Sequence, residues 1–263
     1  MKKLIAGVAV AAVLAACATT TSPTGRRQVV GGVSQAQLDQ LGAQAFAETK
    51  TKQKLSGDSR QNSYVQCVVN ALVAQLPSQY RGVRWETALF TEQEPNAFAL
   101  PGGKVGVNTG IFTVAKNQDQ LAAVIGHEIG HVISRHHEER LTRQMGASSL
   151  LQVAGALAGD YGQLVTQGGS VVAQTGFLLP NSRIQESEAD VVGQQLMAQA
   201  GFDPAQAVNL WQNMMAASGN RSPQWLSTHP DPANRIRELQ KDAPALMHIY
   251  EQAKRDGRTP RCS

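Results

Sequence analysis

His127, Glu128 and His131 stand in the order His-Glu-x-x-His, with Ile129 and Gly130 between them. On a helix, residues four apart share a face, so both imidazoles can reach one ion. Glu128 projects beside that ion, where its carboxylate can take a proton from a bound water. A zinc ion lowers the pKa of such a water to about 7 and polarises a scissile carbonyl. Leu121, Val124, Ile125, Ile129 and Val132 recur at helical spacing around the motif. They predict one buried helix from Gln118 to Arg140. Two unpaired imidazoles in such a place would be costly to desolvate, which favours a metal over core packing as their purpose.

Catalytic zinc needs a third protein ligand and one open position. His136 and His137 follow His131 on the same predicted helix and cannot easily turn back to the ion. His229 and His248 are remote enough to be candidates. Glu186 is the better one. It lies in Gln185-Glu-Ser-Glu-Ala-Asp190, on a second predicted helix from Ser182 to Ala200. Glu186 and Asp190 share a face, so one can ligate while the other orients a ligating imidazole through its free N–H. Glu188 points about 200° away around the wheel and reads as a solvated charge.

With its second helix bearing Glu-x-x-x-Asp, the pattern resembles the HtpX and CAAX-prenyl endopeptidase family of zinc metallopeptidases, in its periplasmic lipoprotein branch. The resemblance runs from about Tyr64 to Leu239. It implies an α+β, mostly α-helical zincin-like domain with a small sheet beside the HExxH helix. It implies one zinc per chain, held by His127, His131 and Glu186, with Glu128 as general base and Asp190 behind the ligands. Thr228-His229-Pro230 and Arg235 match residues near the metal, where they would stabilise the oxyanion or gate the site. Asn96-Ala97-Phe98 opens the segment matching the family's strand beside the cleft, and an edge strand there can accept an extended peptide. The implied substrates are misfolded or unassembled envelope proteins, with outer-membrane assembly machinery as a partner. The rival reading is a chaperone-like lipoprotein with latent or little proteolysis, latched by His229 or by Met145 to Leu179 as a lid.

The positioning elements follow from pattern. Helices are expected over Ser34 to Leu55, Ser63 to Leu76 (stopped by Pro77), from Asp203-Pro204 onward, and over Ala233 to Arg255. Val83 to Phe90 reads as a strand, and two short strands flank the Pro101-Gly102-Gly103 turn. Thr109 to Val114 is expected to open a helix. Met145 to Leu179 is apolar and glycine-rich, with Gly159, Asp160 and Gly168-Gly169 interrupting any membrane span.

At the start, Lys2-Lys3 precede an apolar run from Leu4 to Ala16 that is too short to cross a core of ~30 Å. Leu14-Ala15-Ala16-Cys17 looks like a lipobox, so residues 1–16 are expected to be a lipoprotein signal and Cys17 the lipidated residue. Residues 17–32 are then a tether, rich in Thr, Ser, Pro and Gly over Thr19 to Arg27, and 33–263 the metallopeptidase domain. A lipid anchor in the outer membrane, facing the periplasm, is the expected location. Cys67 and Cys262 remain, and an oxidising compartment favours their pairing. Losing Lys2 and Lys3 would take the formal charge from +4 to +2. No basic run is interleaved with aromatics, so nucleic acid is not an expected partner.

Overall fold

The computed structural model describes residues 18–80, 82–146, 181–217, 228–230 and 232–262. Cys17, the preceding leader and nearly all of the stretch read as a lid lie outside these. A hairpin of β1 (Ala18–Thr21) and β2 (Arg27–Val30) comes first, paired antiparallel. Two helices follow, α1 (Gln35–Lys52) and α2 (Ser59–Val73). A three-stranded sheet is built from β3 (Glu86–Phe90), β4 (Ala97–Leu100) and β5 (Lys104–Asn108). Then come α3 (Gln118–Ile133), α4 (Arg183–Ala200), α5 (Gln206–Ala217) and α6 (Pro232–Arg255). The fold is α+β and mostly helical, as expected.

Local chemistry sets most boundaries. Ser34 and Gln37 form a capping box at the start of α1, and Ser182 and Gln185 form another at α4. Asp58 caps α2 by accepting from the Gln61 N–H, so that helix begins ahead of the expected Ser63. Gly201 ends α4 with φ 84°, a left-handed cap that suits glycine. Thr109–Thr113 forms a 3₁₀ turn, separate from α3.

The sheet order is β3-β5-β4. Strand β5 is central, parallel to β3 and antiparallel to β4. The turn between β4 and β5 uses Gly102 and Gly103 at φ 77° and 71°. Residues 54–56 partly cover the outer edge of β3, with Ser56 N–H donating to Leu89 O at 2.8 Å and Thr91 N–H to Lys54 O at 2.7 Å. Among the described residues, no further strand pairs with β4. Helix α1 packs on the sheet through Phe46, Phe90 and Phe98, while α3 packs on β4. The main core joins α2, α3, α4, α5 and the sheet through residues such as Val69, Val107, Ile125, Met197 and Leu210.

Two expectations fail here. Residues 17–32 were expected to be a tether, yet from Ala18 they form a docked hairpin. Arg26 turns inward and bonds to Glu139 and Glu188, and an ion-paired anchor removes the freedom a tether needs. The helix expected through Arg140 stops at Ile133. Arg135 takes φ 56°, rare for a residue with a side chain, and helix resumes over 136–146. The chain therefore turns after His131 instead of running on.

Cys67 and Cys262 form a disulfide across 195 positions, tying the tail to α2. Closing so long a loop contributes about 3–5 kcal/mol in the chain-entropy model. Helices α3 and α4 meet at glycine. A Cβ on Gly193 would lie 2.7 Å from His127 N and 2.8 Å from Gly126 C, and one on Gly130 would lie 2.8 Å from Ala189 O. These are backbone atoms and cannot swing aside. Gly193→Ala is expected to force the helices apart, costing about 1–3 kcal/mol. Thermal melting checks the stability, and zinc titration should show weaker binding in the same variant.

Candidate metal centre

Helix α3 presents His127 and His131 on one face, and α4 presents Glu186 and Asp190 on the face that meets it. All four are buried. His127 Nε2 and His131 Nε2 are 3.1 Å apart. Glu186 closes the triangle, with Oε2 at 3.5 Å from His127 Nε2 and Oε1 at 3.4 Å from His131 Nε2. His127, His131, Glu186 and His229 each offer one donor atom within 4.8 Å of the others, a group that could hold a metal ion. His248 is not in it.

The donor set fits a divalent cation. Glu186 is 0% exposed, yet neither oxygen receives a well-directed hydrogen bond. Arg235 Nη1 lies 2.8 Å from Oε2, but as an ion pair outside hydrogen-bonding direction. A buried carboxylate with one ion pair and no well-directed hydrogen bond keeps lone pairs on both oxygens that a second cation can meet. Burial opposes its charge, but His229 and Arg235 outweigh burial and hold Glu186 well below the usual carboxylate range. It is an anion ready to ligate.

Behind the ligands, His127 Nδ1 sits 2.9 Å from Asp190 Oδ1. With that N–H donated to the carboxylate, Nε2 is turned to the site. Burial and Arg235 push the His127 imidazole down, while Asp190 and Glu186 outweigh them and raise it to about 9, so a cation binding at Nε2 must displace a proton there. Arg235 grips Asp190 with Nε and Nη2, both at 2.7 Å, and its guanidinium stacks over Trp211 at 4.2 Å. This differs from the oxyanion or gating role expected of Arg235. It is 3% exposed, and its polar contacts run to the carboxylates Asp190 and Glu186 and to the His127 ring, with Nη2 3.2 Å from Nδ1 and 3.4 Å from Nε2. Trp211 meets the edge of His127 with ring centres 5.3 Å apart.

Glu128 and His229 face each other, Oε1 to Nε2 at 3.2 Å. The His229 ring lies 5.3 Å from that of His127 and 5.7 Å from that of His131. Ala97 and Phe98 begin β4 on the sheet that α3 covers, and Asn96 directly precedes it. Asn96 O accepts from Asn108 N–H at 2.9 Å. The Phe98 ring covers Gly106 and packs with Phe46 and Phe90, so this residue offers backbone rather than side chain to a peptide.

Other participants escaped the sequence reading. His136 does return to the site. The turn at Arg135 brings His136 Nδ1 to 2.8 Å from His131 Nδ1. Glu188 is 4% exposed rather than solvated, because the hairpin covers that face of α4. It accepts from His136 Nε2 at 3.0 Å and from Arg26 Nε at 2.8 Å. Burial lowers the pKa of both His131 and His136, keeping them neutral. Asn181 Nδ2 lies 3.4 Å from His131 Nε2, and Arg140 donates to Asn181 Oδ1. The His-x-x-x-x-His spacing of His131 and His136 was visible, but no residue at 134–135 signals a helix break.

Comparison with known proteins places this arrangement in a class. The model for peptidase family M48 matches residues 59–243, and the chain belongs to that family. Zinc is the metal such a metallopeptidase site uses. Among similar proteins is mitochondrial metalloendopeptidase OMA1 of Schizosaccharomyces pombe, 39% identical over 183 residues, which are 69% of this chain and 52% of that protein. The Saccharomyces cerevisiae protein of the same name is 34% identical over 181 residues, 65% of this chain and 51% of its own. The β-barrel assembly-enhancing protease of Escherichia coli is 30% identical over 199 residues, 72% of this chain and 41% of its own. The chain thus spans about half or less of the length of these curated relatives. The matches correct the expected outer-membrane location. Proteins named as mitochondrial, from two fungi and a plant, match at 39%, 34% and 34%, above the 30% of the bacterial protease. No helix among the described residues is long and apolar enough to cross a membrane.

The carboxylates around the hairpin set a response to acid. Burial raises Glu188, but bonds from His136, Ser22, Thr24 and Arg26 outweigh it and lower its pKa below the usual range. Glu139 is lowered too, chiefly by Arg26 and Gln185 against its burial. A depressed folded pKa contributes stability that is present above the unfolded value of roughly 4.3 and is lost as pH falls through the folded one. Melting temperature is expected to drop steeply below about pH 4.3, with a shallower drop in Glu188→Gln. Thermal melts at pH 7 and pH 3 measure both.

Proposed function

We propose that this chain is a zinc-dependent endopeptidase that hydrolyses peptide bonds in proteins that have failed to fold or assemble. The observation that carries the reading is the convergence of His127, His131 and Glu186 donors beside Glu128, within the residues matched by a peptidase family. His127, His131 and Glu186 would hold the ion. When bound, zinc supplies a Lewis acid that polarises the scissile carbonyl and acidifies a water.

The chain's own groups do the rest. Glu128 takes the proton of the attacking water and passes it to the leaving amine. His229, 3.2 Å from Glu128, lies where an Nε2 donor meets the developing oxyanion. Asp190 holds His127, and Arg235 holds Asp190 and Glu186, so the ligands keep their geometry through turnover. Strand β4 offers its outer edge to an extended segment of substrate, gripping main chain with little regard to sequence. The name of the E. coli relative, an assembly-enhancing protease, favours incompletely assembled proteins as substrates.

A second reading is a chaperone-like binder with latent proteolysis. His229 supports it, because its ring nitrogen is within ligand reach of the same ion. The variants separate the two. Glu128→Gln is expected to keep its zinc and lose cleavage of casein, and retained cleavage removes the general-base role. Glu186→Ala is expected to lose zinc by elemental analysis. His229→Ala is expected to slow cleavage by about 10²-fold or more as an oxyanion donor. An increase in rate would mark His229 as a latch and favour latency.

A further inference from the structure

We infer that the N-terminal hairpin is a working part of the metal centre, acting through Arg26, Glu188 and His136 to fix which nitrogen of His131 faces the ion. The inference rests on the metal-centre reading above. It concerns residues on which that reading does not draw, and Thr24 and Arg26 lie outside the stretch matched by the family, 59–243.

The hydrogen-bond directions leave one arrangement. Both oxygens of Glu188 accept. Oε1 takes the Thr24 hydroxyl at 2.5 Å, and Oε2 takes Arg26 Nε at 2.8 Å and His136 Nε2 at 3.0 Å. A carboxylate so surrounded only accepts, so the hydrogen sits on His136 Nε2. In a neutral ring the other nitrogen then carries a lone pair. That nitrogen, His136 Nδ1, lies 2.8 Å from His131 Nδ1, which must therefore supply the hydrogen. His131 Nε2 is left bare, facing His127 Nε2 at 3.1 Å and Glu186 Oε1 at 3.4 Å. This is the tautomer a cation requires. His127 reaches it by one step to Asp190, and His131 by two steps to Glu188.

Arg26 makes the second step possible. It forks onto Glu139, Nη1 to Oε1 at 3.0 Å and Nη2 to Oε2 at 2.9 Å, while Nε holds Glu188. Glu139 and Glu188 are 0% and 4% exposed. Without the guanidinium, two buried like charges lose their shared counter-charge. Glu188 also loses the contact that fixes Oε2 under His136. With no acceptor there, His136 can carry its hydrogen on Nδ1. His131 Nδ1 then accepts, and the hydrogen of His131 moves to the metal-facing nitrogen. Arg26, Glu188 and His136 are positioning residues, since none touches the reacting atoms.

The test is zinc affinity of the full chain, by competition with a chromophoric chelator, with thermal melting of each variant alongside. Glu188→Gln and Arg26→Gln are each expected to weaken zinc by about 10–100-fold, the range for partners that orient metal ligands. Excess zinc should restore most of the lost cleavage. Arg143→Ala removes the second guanidinium on Glu139, which bonds Oε1 at 2.6 Å, while Arg26 still holds Glu139 and Glu188, and zinc affinity should stay at the wild-type value. Unchanged affinity in both Glu188→Gln and Arg26→Gln, with zinc lost from Glu186→Ala, overturns the inference and leaves the metal centre standing. So does a large fall in melting temperature with cleavage that zinc does not restore, which marks the network as scaffolding. Should Glu186→Ala keep its zinc, the metal-centre reading itself fails. If Glu188→Gln does not fold, Arg26→Gln decides the matter by the same readout.

Discussion

Two helices pass so close that backbone lies on backbone, and the centre depends on that distance. Gly193 of α4 sits against the Gly126–His127 peptide of α3, and Gly130 sits against Ala189. At ordinary helix spacing, four side chains from two helices would point past one another. Here Glu186 and Asp190 bracket the imidazoles from a single direction. One carboxylate reaches the metal-facing nitrogens, and the other reaches the far side of the His127 ring. Glycine is a poor helix former, costing roughly 1 kcal/mol against alanine at each interior position. The fold accepts that cost because a Cβ at Gly193 or Gly130 would meet backbone of the facing helix and hold the two helices apart.

Closeness creates an electrostatic difficulty that the surrounding residues answer. Glu128, Glu186 and Asp190 are buried together, faced by Arg235 and Arg140. Burial lowers the pKa of Arg140 to about 10, so it remains a cation at neutral pH. The acids still outnumber the guanidiniums, which suits a site meant for a cation. Arg235 stacks on Trp211 while it grips Asp190, so an apolar wall and an ion pair fix it in one pose. On the other flank Arg26 does similar service for Glu139 and Glu188. The centre thus lies between two guanidinium clamps, one from α6 and one from the hairpin.

Much of this could be read from residue order. The period of apolar residues gave α3, the spacing of His127 and His131 gave their shared face, and Glu186 with Asp190 gave α4 its direction. The start of α1 and both ends of α4 were legible to within a residue, whereas α1 ends at Lys52, short of the expected Leu55. What escaped depended on tertiary contact. Arg135 has no intrinsic preference for the left-handed region, so nothing local announced that the helix would turn and bring His136 back. Glu188 looked solvated because a helical wheel knows only its own helix, and the hairpin that covers it comes from more than 150 positions away. Thr19 to Arg27 has the composition of a linker, and the inward-facing Arg26 is what orders it. The glycines at 126, 130 and 193 were in view, but their meaning needs the second helix.

Strand β4 has its outer edge open among the described residues, and it is only four residues long, Ala97–Leu100. So short a ledge can satisfy only a few amides of any visitor. A segment already engaged in its own helix or sheet would surrender as many bonds as it gained, whereas a loose segment gives up only water. If substrate docks there, as proposed, selection on such a ledge would be made by the visitor's own state of order. The rate of capture would then follow how often a client chain comes undone, and the letters of its sequence would matter mainly through that frequency.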